Sequence, residues 1–166
     1  MSSPRIGIVL GSKSDLSQME GAEQFLKEVG VPYEMRIISA HRTPDKAHEY
    51  AKTAKDRGIE IIIAVAGMAA HLAGVLAASA NVPILGVPSR GGALEGFDAL
   101  LATVQMPAGC PVATFAIGKA GGTNAAIFAC QMLAMADEHV ASQVRGFRAA
   151  MRTKVEADDE GVQRDR

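Results

Sequence analysis

The octapeptide Ile59-Glu60-Ile61-Ile62-Ile63-Ala64-Val65-Ala66 is apolar and rich in β-branched residues almost without a break. That pattern predicts a strand covered on both faces, as in a parallel sheet packed between helices. The flanking segments agree. Before it, a segment of helical period starts at Pro44, runs to about Arg57 and stops at Gly58, and Tyr33–Ile38 reads as a strand. Earlier still, the strand Arg5–Leu10 breaks at Gly11 and gives way to a helix from about Asp15 to Val29. Leu16, Met19, Ala22, Phe25, Leu26 and Val29 mark its apolar face, and Gly30 ends it. On the other side, Met68–Ala80 reads as a small-residue helix, Pro83–Val87 as a strand and Gly96–Val104 as a short helix. Pro111–Ile117 reads as a fifth strand and Gly122–Ala136 as an Ala-rich helix. A last helix, about His139–Ala157, carries Val140, Val144, Phe147, Met151 and Val155. Strand and helix alternate throughout, the mark of an α/β fold of repeated βα units around a parallel sheet.

No linker, repeat or low-complexity stretch divides the 166 residues. One domain is expected over 1–166, with an ordered core of about 4–157 and a charged, frayed tail at 158–166. Aromatic residues make up only 4% of the chain, so Ala, Ile, Val, Leu and Met must fill the core. A formal net charge of -1 removes the electrostatic case for nucleic acid or an anionic membrane as partner. Cys110 and Cys130 lack CxxC spacing and sit in apolar segments, which predicts buried free thiols in a reducing compartment. The start of the chain does not read as a signal peptide, and no apolar run reaches the roughly 18 residues of a membrane span. A cytoplasmic protein is expected. The Ala-rich helix lacks the polar face of a solvated helix. It is either buried within the monomer or packed against other subunits, and the second reading is adopted.

Ligands of an open parallel sheet bind beyond the carboxyl ends of its strands. Three such ends carry unusual loops. In Gly11-Ser12-Lys13-Ser14-Asp15, Gly11 lets the backbone turn and the hydroxyls of Ser12 and Ser14 suit phosphate oxygens. Asp15 suits ribose hydroxyls rather than phosphate, and plain helix capping by Ser14 or Asp15 is the alternative. In Ser39-Ala40-His41-Arg42-Thr43-Pro44, the planar fork of Arg42 fits a phosphate and the imidazole of His41 fits proton transfer. The alternative is a solvated loop. In Gly67-Met68-Ala69-Ala70-His71, small residues admit a flat ligand closely; His71 either serves the site or is a satisfied core or interface group. The four histidines lack zinc-site spacing, and neither a Walker loop, a GxGxxG fingerprint nor a GxSxG elbow occurs. His48 is expected on an exposed face of the second helix.

GSKSD at 11–15, SAHRTPD at 39–45, AAHL at 69–72, VQMP at 104–107, PVAT at 111–114 and AIGKAG at 116–121 stand in family order. Through them the chain, over about Arg5–Met135, resembles the class I 5-(carboxyamino)imidazole ribonucleotide mutases. These are also described as the catalytic subunit of phosphoribosylaminoimidazole carboxylase. The resemblance implies a three-layer, flavodoxin-like, doubly wound parallel sheet with a C-terminal helix, assembled as a homo-octamer. It implies conversion of 5-(carboxyamino)imidazole ribonucleotide to 4-carboxy-5-aminoimidazole ribonucleotide in de novo purine (IMP) biosynthesis, without metal or other cofactor. The carboxyl leaves as carbon dioxide and is recaptured by the ring, with the histidine matching His41 as proton shuttle. Ser12, Ser14 and Arg42 would hold phosphate, Asp15 ribose, and Ser39, Ala40, Gly67 and His71 the base and carboxylate end. Direct carboxylation of aminoimidazole ribonucleotide by carbon dioxide is the enzymatic alternative, and a non-catalytic ribonucleotide-binding module the other.

The chain departs from the family where AGAGGAAHLPG is usual: Val65 and Met68 replace glycines and Ala73 a proline. Ser89 and Arg90 stand where valine and glutamine are more usual. Val65 and Met68 are expected to narrow the pocket, and Arg90 to alter access to it.

Overall fold

The computed structural model describes residues 3–164. Among them are five strands and six α-helices: β1 (Ile6–Leu10), α1 (Glu20–Glu28), β2 (Tyr33–Ile37), α2 (Pro44–Thr53), β3 (Ile61–Ala66), α3 (Leu72–Ala77), β4 (Ile84–Pro88), α4 (Phe97–Val104), β5 (Ala113–Thr114), α5 (Lys119–Leu133) and α6 (Glu138–Arg164). The chain forms two compact units, one ending at Ala129 and the other starting at Cys130.

The first unit holds a wholly parallel sheet in the order β2-β1-β3-β4-β5. This is the doubly wound, flavodoxin-like order, whose direction reverses beside β1. β1 and β4 are buried along their whole length and β3 up to Val65, which accounts for their apolar sequences. Side chains alternate between the two faces. Val9, Ile62, Ala64 and Ile84 share one face with Ala47, Tyr50 and Ala51 of α2 and Leu72, Ala73 and Leu76 of α3. Gly7 lies under the Tyr50 hydroxyl, where a Cβ has no room. The Arg57 guanidinium covers the other side of that ring, 4.5 Å from its centroid, and bonds Glu34 at 2.6 Å. The alternate residues Ile6, Ile8, Leu10, Ile61 and Ile63 are just as deeply buried, as are Ala22, Phe25 and Leu26 of α1.

Several boundaries differ from expectation, each for a local reason. The first helix begins as a 3₁₀ stretch, Lys13–Met19, and becomes α-helical only from Glu20. Ser14 and Ser17 compete with the backbone there and are poor helix formers. The helix expected from Met68 starts at Leu72, because Met68 adopts φ 55°. The fifth strand shrinks to two residues at the sheet edge, although Phe115 N–H still reaches Gly86 O at 2.9 Å. α5 runs three residues earlier at both ends than the Ala-rich pattern suggested.

Its small residues serve packing within the monomer: Gly122 meets the Gln18 carbonyl and Met19, and Thr123 lies on Gly21. Ala125, Ala126 and Ala129 are fully buried while Phe128 stays exposed on the other side. The monomer therefore accounts for one face of α5. Cys130 is buried as expected, whereas Cys110 is only half-buried; neither forms a disulfide among the described residues.

In the second unit α6 continues to Arg164 instead of fraying after Ala157. Pairs one turn apart, Arg164 with Glu160 and Gln163 with Asp159, each at 2.9 Å, support that polar end. Asp165 and Arg166, the end of the expected tail, lie outside the described residues, as do Met1 and Ser2 of the expected N-terminal stretch.

A Cβ on Gly121 would overlap the Ala116 carbonyl oxygen, and Gly121 is buried. Gly121→Ala should cost about 3 kcal/mol, the upper range for overpacking a well-filled site, read as a lower midpoint in urea unfolding.

Candidate functional site

At the carboxyl edge of the sheet, the loops after β1, β2, β3 and β4 surround an open cleft of about 660 Å³. Gly11 continues the β1–β3 pairing through its N–H to Val65 O at 2.9 Å, so the loop after β1 leaves from a fixed point. Ser12 caps the 3₁₀ stretch: its hydroxyl accepts from Ser14 N–H at 3.4 Å, and Asp15 Oδ2 accepts from Ser12 N–H at 2.9 Å. The loop is thus capped, by Ser12 with Asp15 rather than by Ser14, and Ser12, Ser14 and Asp15 still line the cleft. The capping and ligand-binding readings are compatible.

The loop after β2 is clasped by Thr43, whose hydroxyl accepts from Ser39 N–H at 3.0 Å and donates to Ser39 O at 2.9 Å. Arg42 bends back over it. Its Nε donates to Ser39 Oγ at 3.4 Å and its Nη2 to Gly11 O at 3.5 Å, placing the guanidinium between the first two loops. Ser39, Ala40, His41 and Arg42 all line the cleft. His41 Nε2 lies 2.9 Å from His71 Nδ1, with the rings edge-on at 84°. In such a pair one ring donates while the other accepts, so the tautomers of His41 and His71 are coupled. With Nε2 engaged, Nδ1 is the nitrogen of His41 left for a ligand.

Every expected site residue except His71 lies in the cleft wall, and His71 joins it through His41. Gly67 also lines it, beside Ser89, which a Cβ on Gly67 would touch at 3.4 Å. The structure adds Ala66, Met68, Ala69, Leu72 and the segment Ser89–Gly92. Of the departures, Val65 does not narrow the pocket: it is fully buried in β3, paired with Leu10 and Val87. Ala73 is likewise a core residue. Met68 does reach the cleft, and its Cγ occupies the space beside Gly92. Arg90 stands in the wall, held by Glu95 at 2.8 Å. His48, exposed on α2 as expected, bonds Ser79 Oγ at 2.9 Å, away from the cleft wall.

Asp15 is only 5% exposed although it lines the cleft. Burial pushes its carboxyl above the usual range, opposed by hydrogen bonds from the Ser89 hydroxyl and the Ser12 backbone. Among the described residues, no group of three His, Cys, Asp or Glu side chains is placed to hold a metal ion.

The family model described as AIR carboxylase matches residues 5–154. The chain belongs to that family. It is 49% identical over 160 residues to the N5-carboxyaminoimidazole ribonucleotide mutase of Bacillus subtilis, covering 96% of this chain and 99% of the relative. It is 51% identical over 153 residues to the mutase of the same name from Pyrococcus horikoshii, covering 92% and 85%. The crystal structure of Treponema denticola PurE superposes with a TM-score of 0.84 at 26% identity, covering 95% of this chain and 98% of that one. The match to the AIR carboxylase family thus extends beyond the Met135 at which the motif resemblance stopped.

The raised carboxyl of Asp15 sets a pH dependence. A carboxyl that holds its proton more tightly when folded loses stability on ionisation, so its contribution falls as pH rises from its ordinary 3.8 through the raised value. Asp15→Asn removes that cost and keeps an acceptor for Ser12. Its melting temperature relative to wild type should rise between about pH 3.5 and about pH 7. A difference that stays constant, or shrinks, would contradict the burial origin.

Proposed function

We propose that the protein converts 5-(carboxyamino)imidazole ribonucleotide to 4-carboxy-5-aminoimidazole ribonucleotide in purine biosynthesis, with His41 as proton shuttle. The observation that carries this reading is one cleft lined by His41 together with Arg42, Ser12 and Ser14. An imidazole stands in the same wall as an anion-binding guanidinium and hydroxyls. The curated relatives named for this mutase step, at about half identity over most of the chain, support it.

The phosphate sits between the Ser12 and Ser14 hydroxyls and the Arg42 fork, and Asp15 accepts from the ribose. The heterocycle then lies toward Ala40, His41 and Gly67. Loss of the N-linked carboxyl as carbon dioxide leaves an electron-rich ring, and confinement favours recapture at ring carbon four over escape. His41 gives a proton to the exocyclic nitrogen as the carboxyl leaves. It takes one from the ring carbon after recapture, and ends the cycle as it began. No other cofactor is required. The family description, AIR carboxylase, fits a second reading in which free carbon dioxide is added to aminoimidazole ribonucleotide.

The assembly is a homo-octamer acting in the cytoplasm. Phe97, Leu101 and Val104 at helical spacing on α4, together with Leu94, form an exposed apolar stripe that a lone subunit leaves open to water. Two cysteines that form no disulfide among the described residues suit a reducing compartment. No helix among the described residues is long and apolar enough to cross a membrane.

Purified protein given each substrate in turn, followed by ultraviolet absorbance, separates the two reactions. Turnover of the carboxyamino compound without added bicarbonate is the expected result. His41→Asn should keep ribonucleotide affinity within about tenfold while turnover falls at least about 100-fold, and nearly unchanged turnover would remove the mechanism. Arg42→Ala should chiefly weaken binding, and wild-type affinity in that variant would refute the phosphate assignment.

A further inference from the structure

Arg90 brings a second guanidinium into the wall of the cleft, besides that of Arg42. It stands in the loop after β4, on a backbone that is closely held. Just before it, Ser89 N–H donates to Ala66 O at 2.8 Å and Pro88 O accepts from Gly118 N–H at 2.9 Å. Where the loop returns, a Cβ on Gly96 would lie 3.3 Å from Arg90 Cα, so the two stretches of backbone are in direct contact. Glu95, at φ 51° in a region that non-glycine residues rarely enter, accepts from Arg90 Nε at 2.8 Å. The stem of Arg90 is thus fixed at its root by backbone contacts and near its head by Glu95.

A guanidinium carries five N–H donors in a planar fork. Glu95 takes the one at Nε, and among the described residues no hydrogen bond engages Nη1 or Nη2. That remaining edge matches a carboxylate or phosphate through two parallel bonds. The place of Arg90 in the sheet decides between the two anions. Arg42 and Arg90 follow β2 and β4, three strand spacings apart in the order β2-β1-β3-β4, or roughly 14 Å at about 4.8 Å per step. The hydroxyls suited to phosphate, Ser12 and Ser14, follow β1, on the side of Arg42. Gly67, toward which the heterocycle lies, follows β3, and a Cβ there would touch Ser89 at 3.4 Å. Arg90 comes next after that contact, at the end of the cleft remote from the phosphate donors.

We propose that Arg90 is a specificity-determining residue, whose guanidinium receives the carboxylate of the ribonucleotide while Arg42 holds its phosphate. This rests on the mutase reading above. A ligand with an anion at each end meets a cation at each end of the cleft. Arg90 thereby distinguishes a carboxylated ribonucleotide from the aminoimidazole ribonucleotide that has lost carbon dioxide.

The test measures affinity by calorimetric titration for 4-carboxy-5-aminoimidazole ribonucleotide and for aminoimidazole ribonucleotide, which differ only in the carboxylate. Wild type, Arg90→Met and Arg90→Lys are compared, and the ligand without the carboxylate reports whether the site is still folded. Arg90→Met should weaken binding of the carboxylated ligand about tenfold, the low end for hydrogen bonds to a charged group. Its affinity for aminoimidazole ribonucleotide should stay within about twofold of wild type. Arg90→Lys keeps the charge and should stay within about threefold of wild type for the carboxylated ligand. Equal losses for both ligands would move Arg90 to the phosphate, and unchanged affinity for both would remove it from the site. Either result overturns the assignment of Arg90, while turnover of 5-(carboxyamino)imidazole ribonucleotide by the wild type leaves the mutase reading standing. A wild-type protein that binds neither ribonucleotide overturns both.

Discussion

Three backbone hydrogen bonds beyond the regular strands hold the cleft in place. Gly11 N–H reaches Val65 O, Ile38 N–H reaches Leu10 O, and Ser89 N–H reaches Ala66 O, at 2.8–2.9 Å. Each ties the first residue of a ligand-facing loop to the neighbouring strand, so the loops begin as an extension of the ladder. Because every strand runs the same way, all these starting points emerge on one edge. The proposed chemistry needs a phosphate anchor and an imidazole at a set separation, and the sheet fixes where the loops that carry them begin before any side chain is considered.

The site holds a group that is unfavourable for folding, a carboxyl almost out of water. The hydrogen bond from Ser12 N–H offsets part of this. Beside it, His41 and His71 share one hydrogen bond at 2.9 Å. The cost of such groups is characteristic of sites preorganised for a ligand, and the deeply buried aliphatic faces of β1, β3 and β4 provide the stability against which it is set.

Much of this was legible in the sequence, for identifiable reasons. Ile59–Ala66 revealed a strand covered on both faces because β-branched apolar residues leave little else for such a run to do. The loops at 11–15 and 39–42 stood out because Ser, His and Arg gather there at the carboxyl ends of strands, although Ser12 also serves as a cap. What escaped the reading depends on contacts remote in sequence. Val65 was expected at the cleft, but strand alternation directs it into the core. His71 gave no hint that it reaches the site only through His41, thirty residues away. The small residues of α5 suggested neighbouring subunits, and the close approach of one face of that helix to Gln18, Met19 and Gly21 was not foreseen beside it.

Met68 and Gly92 belong to different loops but share one volume. With φ 55°, Met68 accepts a backbone conformation that disfavours side chains by roughly 1–2 kcal/mol, and its Cγ lies 3.2 Å from where a methyl on residue 92 would be. Bulk at position 92 would push the Met68 side chain aside and would also meet the left-handed backbone of Gly92, φ 70°. Across descendants of this gene position 92 should therefore stay glycine whatever stands at 68, because its own φ of 70° disfavours a side chain, whereas 68 can change to glycine and shed its strain.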